Sequence, residues 1–411
     1  MDCDNKIANW LCTIEKKPYC LYGWIWDTIE KDFFRGWIEI ENGNITAIKK
    51  SNIPPYSPLL KGIIIPGFVN YHVHVGDSIF SKKIKPLLKK VNRKELVAPP
   101  DGLKHILLKN TDSIKIKQGM IESIKKMIQY GTYSFFDFRE GGIKGLNLLI
   151  DILDRPIIEN MAMNSDNNRT TTTRNLIEPV IFARPNDMVF DREECLELLK
   201  FANGIGLSSY FDWKKTPFFS VARYVHENDK YFGVHVSEEQ HEPFDEIVKA
   251  QPDFVVHMIS SSNADWSLLA IEDIPVICCP RSNALFGDVP PIEKMAKNNV
   301  KILLGTDNTM FIEPNIFAEV LYTFQHFRYF NKNGKRGFRQ CLEMALPNSF
   351  FNSLKVKKAI ISEGKPAQLT VIEIPNLTNY NHPETAMMKN PIDKNSSITH
   401  IRENIILNLK K

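Results

Sequence analysis

The chain has no apolar stretch near the roughly 20 residues a membrane helix needs, so a helical membrane span is not expected. It also lacks a strong charge of either sign. Lys+Arg 52 against Asp+Glu 48 leaves +4, too little to point to nucleic acid or a membrane surface as partner. The N-terminal residues do not follow the basic-then-apolar order of a secretion signal. Seven cysteines are scattered without CxxC spacing. That argues against a zinc knuckle or a disulfide framework and makes a reduced, cytoplasmic protein the expectation.

What is present is an alternation of apolar runs and helical stretches across most of the 411 residues. The runs begin at Ile63, Tyr133, Val180, Gly204, Tyr231, Phe254, Val276 and Val300. Continuous apolar runs, as opposed to alternating ones, are the pattern of parallel strands covered on both faces. Eight such units predict an α/β fold, a (β/α)8 TIM barrel. The third strand is the least clear, because Pro156-Ile-Ile-Glu competes with Val180-Ile-Phe-Ala. Both chain ends read differently. Residues 18 to 50 hold short strands with an Asn42-Gly43 hairpin turn, and the alternating run from Ala367 precedes Ser397-Ile-Thr-His-Ile. The expected division is 1–60 plus 360–411 as a small β-sandwich domain, with 61–359 as the barrel. Two segments interrupt the pattern: an excursion at 79–110 containing the basic run Lys82 to Lys94, and a polar loop at 162–175. The basic run reads first as a solvated helix face.

The chemistry gathers at strand ends. Gly62-Ile-Ile-Ile-Pro-Gly-Phe-Val-Asn-Tyr-His-Val-His closes on His72 and His74. Residues two apart on a strand share a face, so the two imidazoles point the same way. His235, His257 and Asp307 each end a later run. A barrel delivers the C-terminal ends of its strands to one mouth. Three imidazoles (His72, His74, His235) and the Asp307 carboxylate there suit one divalent metal ion, zinc first and iron second, with a position open for water. Glu238, three residues past His235, can lean over the same mouth and pass a proton. His257 can polarise water or a developing oxyanion. A single histidine in an apolar run is usually a core residue, and Gly-Thr-Asp is a common turn; the combination is what is specific. Substrate-facing candidates are Arg139 and Glu140 after strand 2, Arg281 and Asn283 after strand 7, and His105 in the excursion. For Asn283 a loop-holding role is at least as natural, and for His105 a solvated surface.

These motifs together resemble the amidohydrolase superfamily, in its metal-dependent deaminase and chlorohydrolase branch. Pro66-Gly-Phe-Val-Asn-Tyr-His-Val-His resembles its strand-1 signature and His235-Val-Ser-Glu its HxxE. Cys279-Pro-Arg-Ser-Asn, Leu304-Gly-Thr-Asp-Asn and the return at Gly364-Lys-Pro-Ala-Gln-Leu-Thr-Val-Ile match later segments. The resemblance implies a metal at His72, His74, His235 and Asp307, a proton-shuttling Glu238, a catalytic His257 and a homo-oligomer. The strand-4 segment has no lysine before Lys214, which favours one ion over two. The implied activity is hydrolysis of non-peptide carbon–nitrogen bonds in a small molecule, foremost deamination of an amino-substituted heterocycle such as a nucleobase or nucleoside. Two alternatives stay open: a chlorohydrolase or cyclic-amide hydrolase on the same scaffold, and an inactive scaffold protein.

Overall fold

A computed structural model describes residues 11–15, 17–88, 90–156, 172–393 and 396–408. Within it a parallel sheet runs through β1 (Phe68–His74), β2 (Thr132–Arg139), β3 (Glu178–Ala183), β4 (Gly204–Leu207), β5 (Tyr231–Val236), β6 (Phe254–His257), β7 (Val276–Cys278) and β8. The last strand comes in two pieces, Ile302–Leu304 and Asp307–Asn308. The first piece pairs with β7, and the second pairs with β1 through Asp307 opposite Val73 and Asn308 opposite His74. The sheet therefore closes on itself, as an eight-stranded (β/α)8 barrel does. Two residues separate the pieces. Gly305 N–H donates to the Cys278 carbonyl (3.0 Å) and Thr306 N–H to the His72 carbonyl (2.9 Å), so the strand changes neighbour at that point. Glycine is required here because a Cβ on residue 305 would come within 2.5 Å of the His72 Cβ.

The Ile63–Ile65 run, expected as the first barrel strand, belongs elsewhere. It lies in Leu60–Ile65, which pairs with Tyr19–Asp27 and Gln368–Glu373 in the sheet made by the two chain ends. The barrel begins only after the Pro66-Gly67 break, where Gly67 takes φ 94°. The terminal sheet has eight strands, mainly antiparallel, and its Asn42-Gly43 turn has positive φ at both residues, as a tight hairpin needs. Of the two candidates for strand 3, Val180 is in β3; residues 157–159 lie outside the described residues, as do 162–171 of the polar loop.

Inside the barrel, Val69, Tyr71, Phe136, Phe138, Phe182 and Phe254 pack together. Each such side chain contributes roughly 1.5–3 kcal/mol by leaving water. In β1 the alternation slips. Val69 and Tyr71 join this inner cluster, whereas Val73 packs outside, and the pairing with β2 shifts between Asn70 and Val73. The irregularity turns His72 and His74 into the mouth above the apolar layer. Helices cover the outer face by the usual periodicity. In Ser113–Gln129, capped by Asp112 on the Ile114 N–H, Ile116, Met120, Ile124 and Met127 are buried.

The excursion after β1 folds as short helices over the mouth. Phe80, Ile84 and Leu96 pack against Met310, Phe311 and Ile312 after β8, with Phe286 after β7 at the edge. An Asn92–Glu95 capping box starts the helix Arg93–Val97.

The closure makes a prediction. Asn70 donates to Thr306 Oγ1 (2.8 Å) and accepts from the Thr306 N–H (3.1 Å), both fully inside. Asn70→Ala strands a buried donor and is expected to cost roughly 2–4 kcal/mol, read as a lower urea midpoint. An unchanged midpoint would show that closure does not depend on this amide.

Candidate functional site

At the mouth, the rings of His72 and His74 are 5.0 Å apart, those of His72 and His235 4.9 Å, and those of His235 and His257 5.4 Å. Phe138 lies beneath them, 4.2 Å from the His72 ring. Asp307 Oδ1 stands 3.5 Å from His72 Nε2 and 3.6 Å from His74 Nε2. Glu238 Oε1 stands 3.5 Å from His257 Nε2. Donor atoms of His72, His74 and Asp307 lie within 4.8 Å of one another, as do those of His72, His235 and His257, and of Glu238, His257 and Asp307. The six residues expected at the mouth, His72, His74, His235, Glu238, His257 and Asp307, therefore meet in one place. His257 (φ 76°) and Asp307 (φ 62°) adopt left-handed backbone there, an uncommon conformation that clusters at functional sites.

The hydrogen-bond pattern leaves room for a cation. Both ring nitrogens of His72 are buried without a hydrogen-bond partner. His235 Nδ1 meets the Leu207 carbonyl at 2.6 Å. A carbonyl only accepts, so Nδ1 carries the proton and Nε2 is left as a donor to metal. His74 Nδ1 faces Glu140 Oε1 at 3.2 Å, the carboxylate–histidine pairing that orients a ligand. Burial lowers the His74 pKa to about 4 and the His257 pKa to about 3, and it takes His235 well below the ordinary value. Neutral imidazoles are what ligation needs. Burial pushes the Asp307 carboxyl up, but the contacts with His72, His257 and His74 outweigh it and hold the group ionised, well below the usual range. Ser282 Oγ and Asn308 Nδ2 donate to its two oxygens, at 2.6 and 2.9 Å. The donor set thus fits a divalent ion on geometry and protonation.

Glu238 is governed by burial first, which raises its carboxyl to about 8; Arg93 opposes this, and Asp307 and Glu239 add to it. Its side chain is 23% exposed, at the edge of a cavity of about 380 Å³. Arg93, from the excursion, has Nη1 3.4 Å from Glu238 Oε1 and from Glu239 Oε1, and it pairs with Asp288. The basic run is therefore not uniformly solvated. Lys82, Lys83, Lys85, Lys90 and Lys94 are exposed, but Arg93 is buried.

Five further candidates fall in different places. Glu140 reaches the cavity, but as the partner of His74 and Lys104. Arg139 is fully buried behind it, against Asp137 (3.5 Å) and Glu140 (3.4 Å). His105 is away from the mouth: its Nε2 donates to the Val97 carbonyl (3.0 Å) and its ring borders a second cavity. Arg281 and Asn283 do not line the main cavity either. Arg281 binds Glu319 through its N–H (3.1 Å) and Nη1 (3.3 Å), fixing the short helix that carries Ser282. The Asn283 amide is buried without a partner.

Several participants were not singled out by sequence. Arg184 follows β3 directly, and the rule that picked Arg139 after β2 would have found it. Arg93 was hidden within a lysine-rich run, and Asp77 by lying past a strand end.

A family model described as the amidohydrolase family matches residues 63–399. The chain belongs to this family. Curated relatives include an uncharacterized protein of Methanocaldococcus jannaschii, 28% identical over 83% of this chain and 87% of its own length. Another, from Methanothermobacter thermautotrophicus and provisionally named an aminohydrolase, is 28% identical over 81% and 85%. Among solved structures, a triazine hydrolase variant aligns over 96% of this chain and 95% of its own, at TM-score 0.73 and 13% identity. Guanine deaminase from C. acetobutylicum with guanine bound aligns over 94% and 99%, at 0.64 and 17%. Atrazine chlorohydrolase from Arthrobacter aurescens TC1 complexed with zinc aligns over 95% and 94%, at 0.71 and 13%.

As an amidohydrolase this protein is a hydrolytic enzyme of a metal-dependent family. No helix among the described residues is long and apolar enough to cross a membrane.

Glu319 makes the second prediction. Burial pushes its carboxyl to about 7, against the pull of Arg281. The folded state then binds a proton that the unfolded chain has already released above about pH 4.5. Stability from this group is present below that pH and is lost as pH rises through about 7, by roughly 3 kcal/mol. Denaturation series at pH 5 to 8 should show this slope in the wild type and a flatter one in Glu319→Gln. Parallel slopes would assign it to other groups.

Proposed function

We propose that this amidohydrolase is a mononuclear aminohydrolase that deaminates an amino-substituted heterocycle, with zinc held by His72, His74, His235 and Asp307. The observation that carries the reading is the convergence of those four donors with Glu238 and His257 at one barrel mouth. The three-imidazole, one-carboxylate donor set and the zinc in a structural neighbour support that metal. When bound, the ion supplies Lewis acidity that brings the pKa of water in its coordination sphere towards ~7. Asp307 takes a proton from the attacking water as its oxygen bonds to the amino-bearing carbon. Glu238 gives a proton to the adjacent ring nitrogen and then relays one to the departing amine, which leaves as ammonia. His257 hydrogen-bonds the oxygen as charge builds on it. The ring ends as a lactam.

Glu238 suits an amine leaving group, which must be protonated to depart, whereas chloride leaves as the anion; protonation of the ring nitrogen serves either, so the released group decides between them.

Elemental analysis of purified protein should find one divalent ion per chain, lost in His72→Ala and His235→Ala. An ammonia-release screen over purines, pyrimidines, pterins, triazines and adenosyl thioethers tests the reaction. On any compound turned over, Glu238→Gln should keep the ion and lose roughly 10²–10⁴-fold in rate. Chloride release without ammonia, or full activity in Glu238→Gln, would overturn the reading.

A further inference from the structure

The acids and cations lining the main cavity are unevenly satisfied. Glu242 accepts from Ser209 Oγ (2.7 Å), Ser237 N–H (2.6 Å) and Phe211 N–H (3.2 Å). Glu238 and Glu239 face Arg93. Lys104 is enclosed: its Nζ is 2.6 Å from Glu140 Oε1, 3.4 Å from Asp77 Oδ2 and 3.4 Å from Asn308 Oδ1.

Arg184 is the exception. Its side chain is 13% exposed, yet among the described residues it has one ion-pair contact, Nη2 to Glu140 Oε1 at 3.7 Å. That oxygen already holds Lys104 and faces His74 Nδ1, while the other Glu140 oxygen faces Arg139. A guanidinium carries five N–H donors in a fork suited to a carboxylate or phosphate. Here it is largely withdrawn from water with one long, shared acceptor. Lys94, exposed on the helix Arg93–Val97, lines the same cavity, as does Asp212, on whose carboxyl both Arg184 and Lys94 act. Three cations (Lys94, Lys104, Arg184) thus meet three acids here: Glu140, Asp212 and, behind Lys104, Asp77.

Glu140 links Arg184 to His74 Nδ1, and across that imidazole Nε2 faces Asp307. Arg184 and the histidine cluster therefore border the same cavity, on either side of Glu140.

We propose that the substrate is an amino-substituted heterocycle bearing an anionic group, a carboxylate or phosphate, that Arg184 binds with Lys94 at the rim. This rests on the aminohydrolase reading for the position of the reacting end. Arg184 is then a specificity-determining residue in addition to its share, beside Lys104, in holding Glu140 ionised.

Calorimetric titration of the metal-loaded full chain tests this with paired probes: cytosine against cytosine-5-carboxylate, and adenosine against adenosine 5′-monophosphate. In at least one pair the charged member should bind at least about tenfold more tightly, the scale of a charge-assisted hydrogen bond. The pair that responds tells carboxylate from phosphate. Arg184→Met should bring that ratio to about one, Arg184→Lys should retain part of it, and Lys94→Met should reduce it less. Equal affinity within both pairs, including no binding by either member, overturns the proposal. So does a preference that persists in Arg184→Met, which would place the anion on the metal. Should Arg184→Met fail to fold, Lys94→Met and added salt decide: 0.5 M KCl should weaken only the charged member. Ammonia release judges the aminohydrolase reading separately. A charged-probe preference without ammonia would spare the subsite and sink the reaction; ammonia release with equal affinities would do the reverse.

Discussion

One backbone hydrogen bond, from the Thr306 N–H to the His72 carbonyl, sets the geometry of the whole mouth. It joins the last strand to the first, and it does so one residue before Asp307 and at the first of the paired histidines. Had β8 continued along β7 alone, Asp307 would have stayed beside the seventh strand, with no pairing to β1. The split lets one carboxylate reach both His72 and His74, at 3.5 and 3.6 Å. Gly305 is where the chain makes this change, because the backbone there passes too close to His72 for any side chain. Asn70 locks the same point from within β1 by bonding Thr306 twice. Closure of the barrel and the meeting of Asp307 with His72 and His74 are therefore one event.

The second constraint is electrostatic. The mouth buries neutral imidazoles beside ionised carboxylates, and burial alone would protonate the acids. Asp307 escapes because histidines and two hydrogen-bond donors surround it. Glu140 escapes because Lys104 and His74 do, and it stays ionised well below the usual range. Asp77, equally buried but with Lys104 as its nearest cation at 3.4 Å, is left near 7. Partner supply, not depth, decides which carboxylates keep their charge.

How much of this the sequence carried depends on the distance over which each signal acts. His72 and His74 were legible because strand alternation fixes the relative direction of residues two apart. His235, His257 and Asp307 were legible because barrel topology sends every strand end to one mouth, whatever the sequence separation. The Ile63–Ile65 run was misplaced for a local reason. An apolar run inside either sheet looks the same, and only the Pro66-Gly67 break separates them. The parity slip in β1 was invisible, because it comes from pairing with β2. Arg281 and Asn283 stood where substrate contacts often stand, yet Arg281 serves Glu319 and Asn283 is enclosed; an orientation within a short helix is set by packing. Arg93 was misread with its neighbours because composition averages over a run. Its helix is pinned by Leu96 against Met310 and Phe311, and that turns a single cation of the run inward.

The excursion after β1 explains why a shared barrel need not mean a shared substrate. It contributes no histidine-cluster donor. It supplies Arg93, which contacts Glu238, and Lys94 and Lys104, which line the cavity. Its own small apolar cluster leans on the loops after β7 and β8, so its position is coupled to the strand that carries Asp307. A segment anchored in that way can change residue by residue at the cavity surface without disturbing the barrel layer beneath, which rests on Phe136, Phe138 and Phe182. The histidine–aspartate cluster is held by strand pairing, whereas the cavity wall is held by side-chain packing of loops. Alteration of the second leaves the first standing, so the charges at the cavity surface can change without moving the histidine cluster.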